Sequence, residues 1–184
     1  MISFASGEAA PGFDHPLEML HACHGKIKRQ LETLQKLAAH LPAHGCDKQA
    51  QQAAQGILRY FDTSGQFHHQ DEEENLFPTL LAMNTPELTQ IKILVDRLLG
   101  EHAIMFVAWG DVRAVLVKLA EGVNTPLPEA LVEQLTGTYT RHIHFEETEL
   151  LPLSARLLSP QQIMELGKCM AGRRGVKFPA IPAG

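Results

Sequence analysis

Two segments of the chain repeat one arrangement of chemically active side chains. HHQDEEENLFP carries His68, Glu72, Glu73, Leu76 and Pro78; HIHFEETELLP carries His142, Glu146, Glu147, Leu150 and Pro152 at the same offsets. A histidine and a glutamate four residues apart share one helical face, one turn apart, so both can reach a single centre. Each segment also has one histidine upstream, His24 or His102. The nitrogens and oxygens of His24, His68, Glu72, His102, His142 and Glu146 form a donor set suited to a transition metal ion. One HxxxE says little. Two copies with matched flanks and matched upstream partners predict a shared metal centre.

These groups can meet only if the elements that carry them converge. Leucine (25 residues) and alanine (20) outnumber valine and isoleucine together (17), which favours helix over strand. Proline clusters punctuate the chain and predict helices over 16–42, 47–83, 86–121 and 128–157, with a short one over 160–171. Each long segment has an apolar seam at alternating steps of three and four; the first reads Leu17, Leu20, His24, Ile27, Leu31, Leu34. Short connectors make neighbouring helices antiparallel. The expected fold is all-α: an up-down-up-down four-helix bundle with an additional short C-terminal helix. Residues 1–13 read as a flexible arm, 14–158 as the bundle, and 159–184 as the C-terminal helix and tail. Pro78 and Pro152, six residues after Glu72 and Glu146, predict a kink in each helix just beyond the cluster.

All six donors fall on seams, so they are expected in the bundle core. Burying a carboxylate without a partner is costly, and a bound cation relieves that cost. A lone seam histidine is more often a hydrogen-bonded core residue; six groups in register point to metal instead. His21, one turn before His24, is the alternative to it. His69, Glu73 and Glu147 lie about 100° round from the seam and are expected on a solvated flank or behind the ligands. His144 is expected to be exposed, Cys23 structural, and Met105, Phe106 and Trp109 mostly core. His15, His40 and His44 fall at helix ends or in loops. The acidic run at 71–74 reads as a solvated face with only Glu72 drawn inward.

With these residues in place, the chain resembles the hemerythrin-like (HHE cation-binding) family. The resemblance rests on His24 in LHACHGKIKRQL, the run HHQDEEENLFP, His102 in GEHAIMF and the run HIHFEETELLP, over roughly residues 15–158. It is nearest the subgroup with one His plus one HxxxE per half, as in bacterial iron-centre repair proteins. The resemblance implies a bundle holding two iron ions, oxo- or hydroxo-bridged when oxidised. It assigns His24, His68, His102 and His142 as terminal ligands and Glu72 and Glu146 as bridges. The chain departs from the oxygen-carrying members at Phe106, where they place a second histidine, and at Glu147, where they place an aspartate. No cysteine lies on a seam, which disfavours Cu(I) and iron–sulfur clusters. Positions open beyond four-coordination suit iron, with manganese second, better than a closed zinc site.

Composition limits the rest. A net charge of -5 with no Lys/Arg stripe argues against nucleic acid. No apolar run approaches the roughly 20 residues that span a bilayer. The first residues lack a signal pattern, and three scattered cysteines fit a reducing, cytoplasmic setting. The expected partner is a small ligand: O2, NO or peroxide. Two functions stay open. One is binding or sensing of O2, NO, oxidants or iron. The other is a di-iron redox enzyme or iron-donating repair protein acting on peroxide, NO or damaged iron centres.

Overall fold

The computed structural model describes residues 11–178, which are helical apart from turns and short connectors, with no strand among them. Most of the arm expected over 1–13 and the last six residues of the tail therefore lie outside the described residues. Helix α1 spans Pro16–His44, with proline at its start and Gly45 beyond its end at a φ of 63°. Only glycine adopts that left-handed conformation without cost, and the Gly45 N–H closes on the Leu41 carbonyl. Helix α2, Lys48–Phe61, opens on Asp47, whose carboxylate accepts from the Ala50 N–H at 2.8 Å.

The single helix expected over 47–83 is interrupted. Helix α3, Ser64–Asp71, begins after a break at Asp62 and Thr63. The indole of Trp109 and the guanidinium of Arg113 both donate to Asp62, fixing the break against the next long helix. A π turn, Glu72–Leu76, then leads into α4, Phe77–Leu81. Helix α5 is unbroken over Leu88–Ala120. Helix α6, Glu129–Phe145, passes through a second π turn, Glu146–Leu150, into α7, Leu151–Leu157. Helix α8, Pro160–Arg173, starts with a reciprocal cap between Ser159 and Gln162.

Where a kink is expected beyond each glutamate, the structure has a π turn that starts on it. A proline ring inside an α-helix collides with the carbonyl four residues earlier. For Pro78 and Pro152 those carbonyls belong to Glu74 and Thr148, within the two turns. The wider loop, closed by Phe77 N–H on Glu72 and Leu151 N–H on Glu146, leaves room for the ring.

Four rods pack side by side: α1, α2 through α4, α5, and α6 through α7. Two apolar clusters lie along them. One holds Ile27, Leu31 and Leu34 of α1, Ile57 and Phe61 of α2, Met105 and Val112 of α5, and Leu135 and Tyr139 of α6. The other holds Leu20, Leu76, Leu80, Ile91, Leu98, Leu150 and Leu153, and takes in Leu166 and Met170 of α8. Each such side chain contributes about 1.5–3 kcal/mol by leaving water. Helix α8 packs on α1, α3 and the first π turn. Gly167 lets it approach closely, because a Cβ there would meet the Phe13 carbonyl oxygen at 1.9 Å. Phe106, expected mostly in the core, is instead 76% exposed on α5.

Candidate metal centre

All six donors predicted from the sequence are buried, and they fall between the two apolar clusters. His24 lies between Leu20 and Ile27, His68 between Phe61 and Leu76, His102 between Leu98 and Met105, and His142 between Tyr139 and Leu150. Every rod thus crosses the same polar layer once.

Within that layer the histidines form two pairs, and each carboxylate faces both. Glu72 directs Oε1 towards His68 Nε2 at 3.4 Å and Oε2 towards His102 Nε2 at 3.6 Å. Glu146 directs Oε1 towards His142 Nε2 at 3.3 Å and Oε2 towards His24 Nε2 at 3.0 Å. Two overlapping donor sets result: His24, His68, Glu72 and Glu146, and His102, His142, Glu72 and Glu146. Among the described residues, eight buried side-chain nitrogens and oxygens lack a hydrogen-bond partner, and all belong to His24, His68, His69, Glu72 and Glu146. Each such atom costs free energy unless something else satisfies it. Their convergence fits a cation.

The electrostatics of the layer point in the same sense. Burial, and then the neighbouring Glu146 carboxylate, push Glu72 well above the usual carboxylate range. Burial also opposes the charge on Glu146, but His142 and His24 outweigh it and hold Glu146 well below that range. Burial disfavours the charged rings of His24 and His142, yet contact with Glu146 leaves both raised. Burial and the charge of His142 bring His102 down to about 4, and burial holds His68 well below its ordinary value, so both present neutral rings.

A second set of carboxylates holds the histidines from behind. His24 Nδ1 is 3.1 Å from Glu147, His102 Nδ1 2.6 Å from Glu73, and His142 Nδ1 2.9 Å from Glu101. Glu147 and Glu73 serve the opposite half of the chain, a reciprocal exchange. Hydrogen bonding to His24 lowers Glu147 to about 2, with Lys28 bound to the same carboxylate. Arg97 donates to Glu101 at 2.8 Å, and its guanidinium lies 3.6 Å over the Phe145 ring. Glu101 was not singled out in the sequence; its place directly before His102 was the only available signal. His21 is partly exposed beside Glu147, whereas His24 is fully buried.

His69 lies behind a ligand, one of the two places expected for it: its ring stacks on His102 and its Nε2 is buried. One residue of the acidic run departs from expectation. Asp71, expected on the solvated acidic face, is fully buried between Arg173 and Arg174. His144 is exposed, as expected.

Comparison with known proteins agrees with this geometry. The model of the hemerythrin HHE cation-binding domain matches residues 15–154. A protein of Haemophilus influenzae, described only as an uncharacterized protein, is 32% identical over 165 residues, covering 90% of this chain and 93% of that one. Among the described residues no helix is long and apolar enough to cross a membrane. The match spans the helices that carry both histidine pairs and both shared carboxylates, and the chain belongs to the hemerythrin HHE cation-binding family.

Proposed function

We propose that the chain is a non-haem di-iron protein that binds or senses a small oxidising ligand, O2, NO or peroxide, in a cytoplasmic setting. His24 and His68 would hold one ion, His102 and His142 the other, with Glu72 and Glu146 shared between them. The observation that carries this reading is the pair of carboxylates, each with one oxygen facing each histidine pair. Each rod meets the two apolar clusters in the reverse order of the rod before it. That alternation supports an up-down-up-down bundle, which brings one ligand-bearing stretch from every rod to the same level.

When bound, an iron pair supplies open coordination positions and two electrons. The protein's own part is to orient and to exclude. Glu147, Glu73 and Glu101 accept the Nδ1 protons of His24, His102 and His142, leaving each Nε2 lone pair turned inward. Leu20, Leu76, Leu98 and Leu150 on one side, and Met105 and Ile143 on the other, keep bulk water from the layer. The donor set has no thiolate, which favours iron, with manganese second, over softer ions.

The test is metal content and absorption after expression in iron-containing medium. About two irons per chain are expected, with His68→Ala and Glu146→Ala each losing more than half; retention of most of the iron in both variants would overturn the assignment. Reversible binding of O2 or NO supports the sensing role, and sustained peroxide or NO consumption transfers the centre to redox catalysis. The carboxylates behind the histidines have their own expected effect. Glu101→Ala and Glu147→Ala should each weaken iron binding about 10–100-fold in competition with a chelator, because their histidines lose orientation and basicity.

A further inference from the structure

Helix α5 shows solvent an apolar face that nothing among the described residues covers. Phe106 is 76% exposed, Ile93 65%, Val107 62%, Ile104 54% and Leu99 41%. Together they leave on the order of 500 Å² of apolar surface in water, near the upper end for the largest patch on a monomer. Gly100, Ala103, Val107, Gly110 and Ala114 run along the middle of this face, and all are exposed. Their alternating steps of three and four make a second seam on α5, turned away from the bundle core.

A helix packed on one side only has no need of a second seam. Inside a helix, glycine lowers stability relative to alanine. Nothing within the chain requires it here, since a Cβ at Gly100 or Gly110 would meet no atom within 4 Å. A close approach from outside gives both glycines a use, because small residues let two helix backbones come near each other.

The occupant that fits is a second copy of the chain. The seam reads the same in both directions about Met105: in an antiparallel pair Gly100 falls opposite the partner's Gly110, and Ala103 opposite the partner's Val107. A two-fold axis there sets each flank of the stripe beside the same flank of the other copy. Arg97, Ile104 and Asp111 are spaced by seven residues and so share one flank, with Ile104 midway between the charges. Ile104 then meets its counterpart near the axis, and each Arg97 comes beside the partner's Asp111. Arg97 is 49% exposed and gives its Nε to Glu101, so its outer nitrogens can reach a partner. Asp96, on the same face, falls opposite the partner's Ala114, at the edge of the pair. A lipid surface would use neither the palindrome nor the opposite charges at its two ends.

We propose that the protein forms a two-fold homodimer through the outer face of α5, the two helices running antiparallel about Ile104 and Met105. A stable interface takes about 800 Å² from each partner. The exposed apolar side chains supply its centre, and Arg97 and Asp111 its rim.

The experiment is sedimentation of the full-length chain over a range of concentrations, with circular dichroism to check each variant's fold. The wild type should be dimeric at micromolar concentration. Ile104→Glu should weaken association about 100-fold or more, because like charges would meet near the axis. Arg97→Glu and Asp111→Lys should each weaken it about tenfold, and together they should restore it, which a parallel pair would not allow. A wild type that stays monomeric up to about 1 mM would overturn the proposal, and binding of that monomer to lipid vesicles would assign the face to a membrane surface. A dimer indifferent to Ile104→Glu would overturn it as well. Failure of the charge exchange to restore association would overturn the antiparallel pairing. If Ile104→Glu does not fold, Gly110→Gln decides, since its side chain would enter open space in the single chain. That variant should fold and be monomeric; a dimer of wild-type affinity would overturn the proposal.

Discussion

Glu72→Leu should make the metal-free protein more stable while abolishing tight metal binding. Glu72 is fully buried, and neither of its oxygens has a hydrogen-bond partner. Burial and the Glu146 charge push it towards the neutral form, which reduces the cost of its position without removing it. An unsatisfied buried polar group costs about 1–3 kcal/mol. A leucine here would continue the apolar surface of Leu76 and Leu98. The metal-free melting temperature should therefore rise by several degrees, at about 2–4 °C per kcal/mol for a chain of this size. With excess metal the order should reverse. The wild type gains about 2.7 kcal/mol at a free-metal concentration 100 times its dissociation constant, and the variant gains nothing comparable. Paired melting curves with and without Fe(II) give both readings. A metal-free variant less stable than the wild type would show that Glu72 has a stabilising partner, and that metal is not what the position serves.

The sequence made the donors legible for a simple reason. Seam spacing and the internal repeat depend only on each helix's own periodicity, and His24, His68, Glu72, His102, His142 and Glu146 all lie on the seams. Features set by a neighbouring rod were not visible. A wheel drawn for one helix places His69 about 100° off the seam, but the adjacent helix carries His102 against that flank. Phe106 shows the opposite error: its spacing from His102 suggested core, yet no rod covers that side of α5. The prolines signalled a local disturbance beyond each glutamate, but not that it takes the form of a π turn closed on Glu72 and Glu146. The run Asp62, Thr63, Ser64, Gly65 carried a turn signal that the unbroken helix over 47–83 passed over, and the break is held by Asp62 accepting from Trp109 and Arg113 on α5. The short C-terminal helix was expected to end at 171, with a tail after it, yet Arg173 ends α8 and both Arg173 and Arg174 reach Asp71, some hundred positions away.

That contact carries the other large effect. Replacing both Arg173 and Arg174 with alanine should destabilise the protein by about 3–5 kcal/mol, the scale for removing one side of a buried ion pair. Asp71 has no exposed surface and accepts from both guanidinium groups, Arg174 Nη2 at 2.7 Å. Arg173 also holds Glu74 and Asn75 on the first π turn, at 2.7 and 2.9 Å. The single variants should lose much less, since either arginine still faces the carboxylate. Adding Asp71→Asn to the double variant should recover part of the loss, because an amide leaves no buried charge behind. If the double variant melts within about 2 °C of the wild type, roughly 1 kcal/mol, the pair contributes little. The metal layer separates two accounts of the damage. Asp71 closes α3 and Glu72 opens the π turn, so releasing α8 frees the backbone on which Glu72 is placed. If α8 holds that backbone, the variant with Asp71→Asn should regain stability yet still bind iron more weakly than the wild type. If Asp71's charge alone matters, stability and iron affinity should return together.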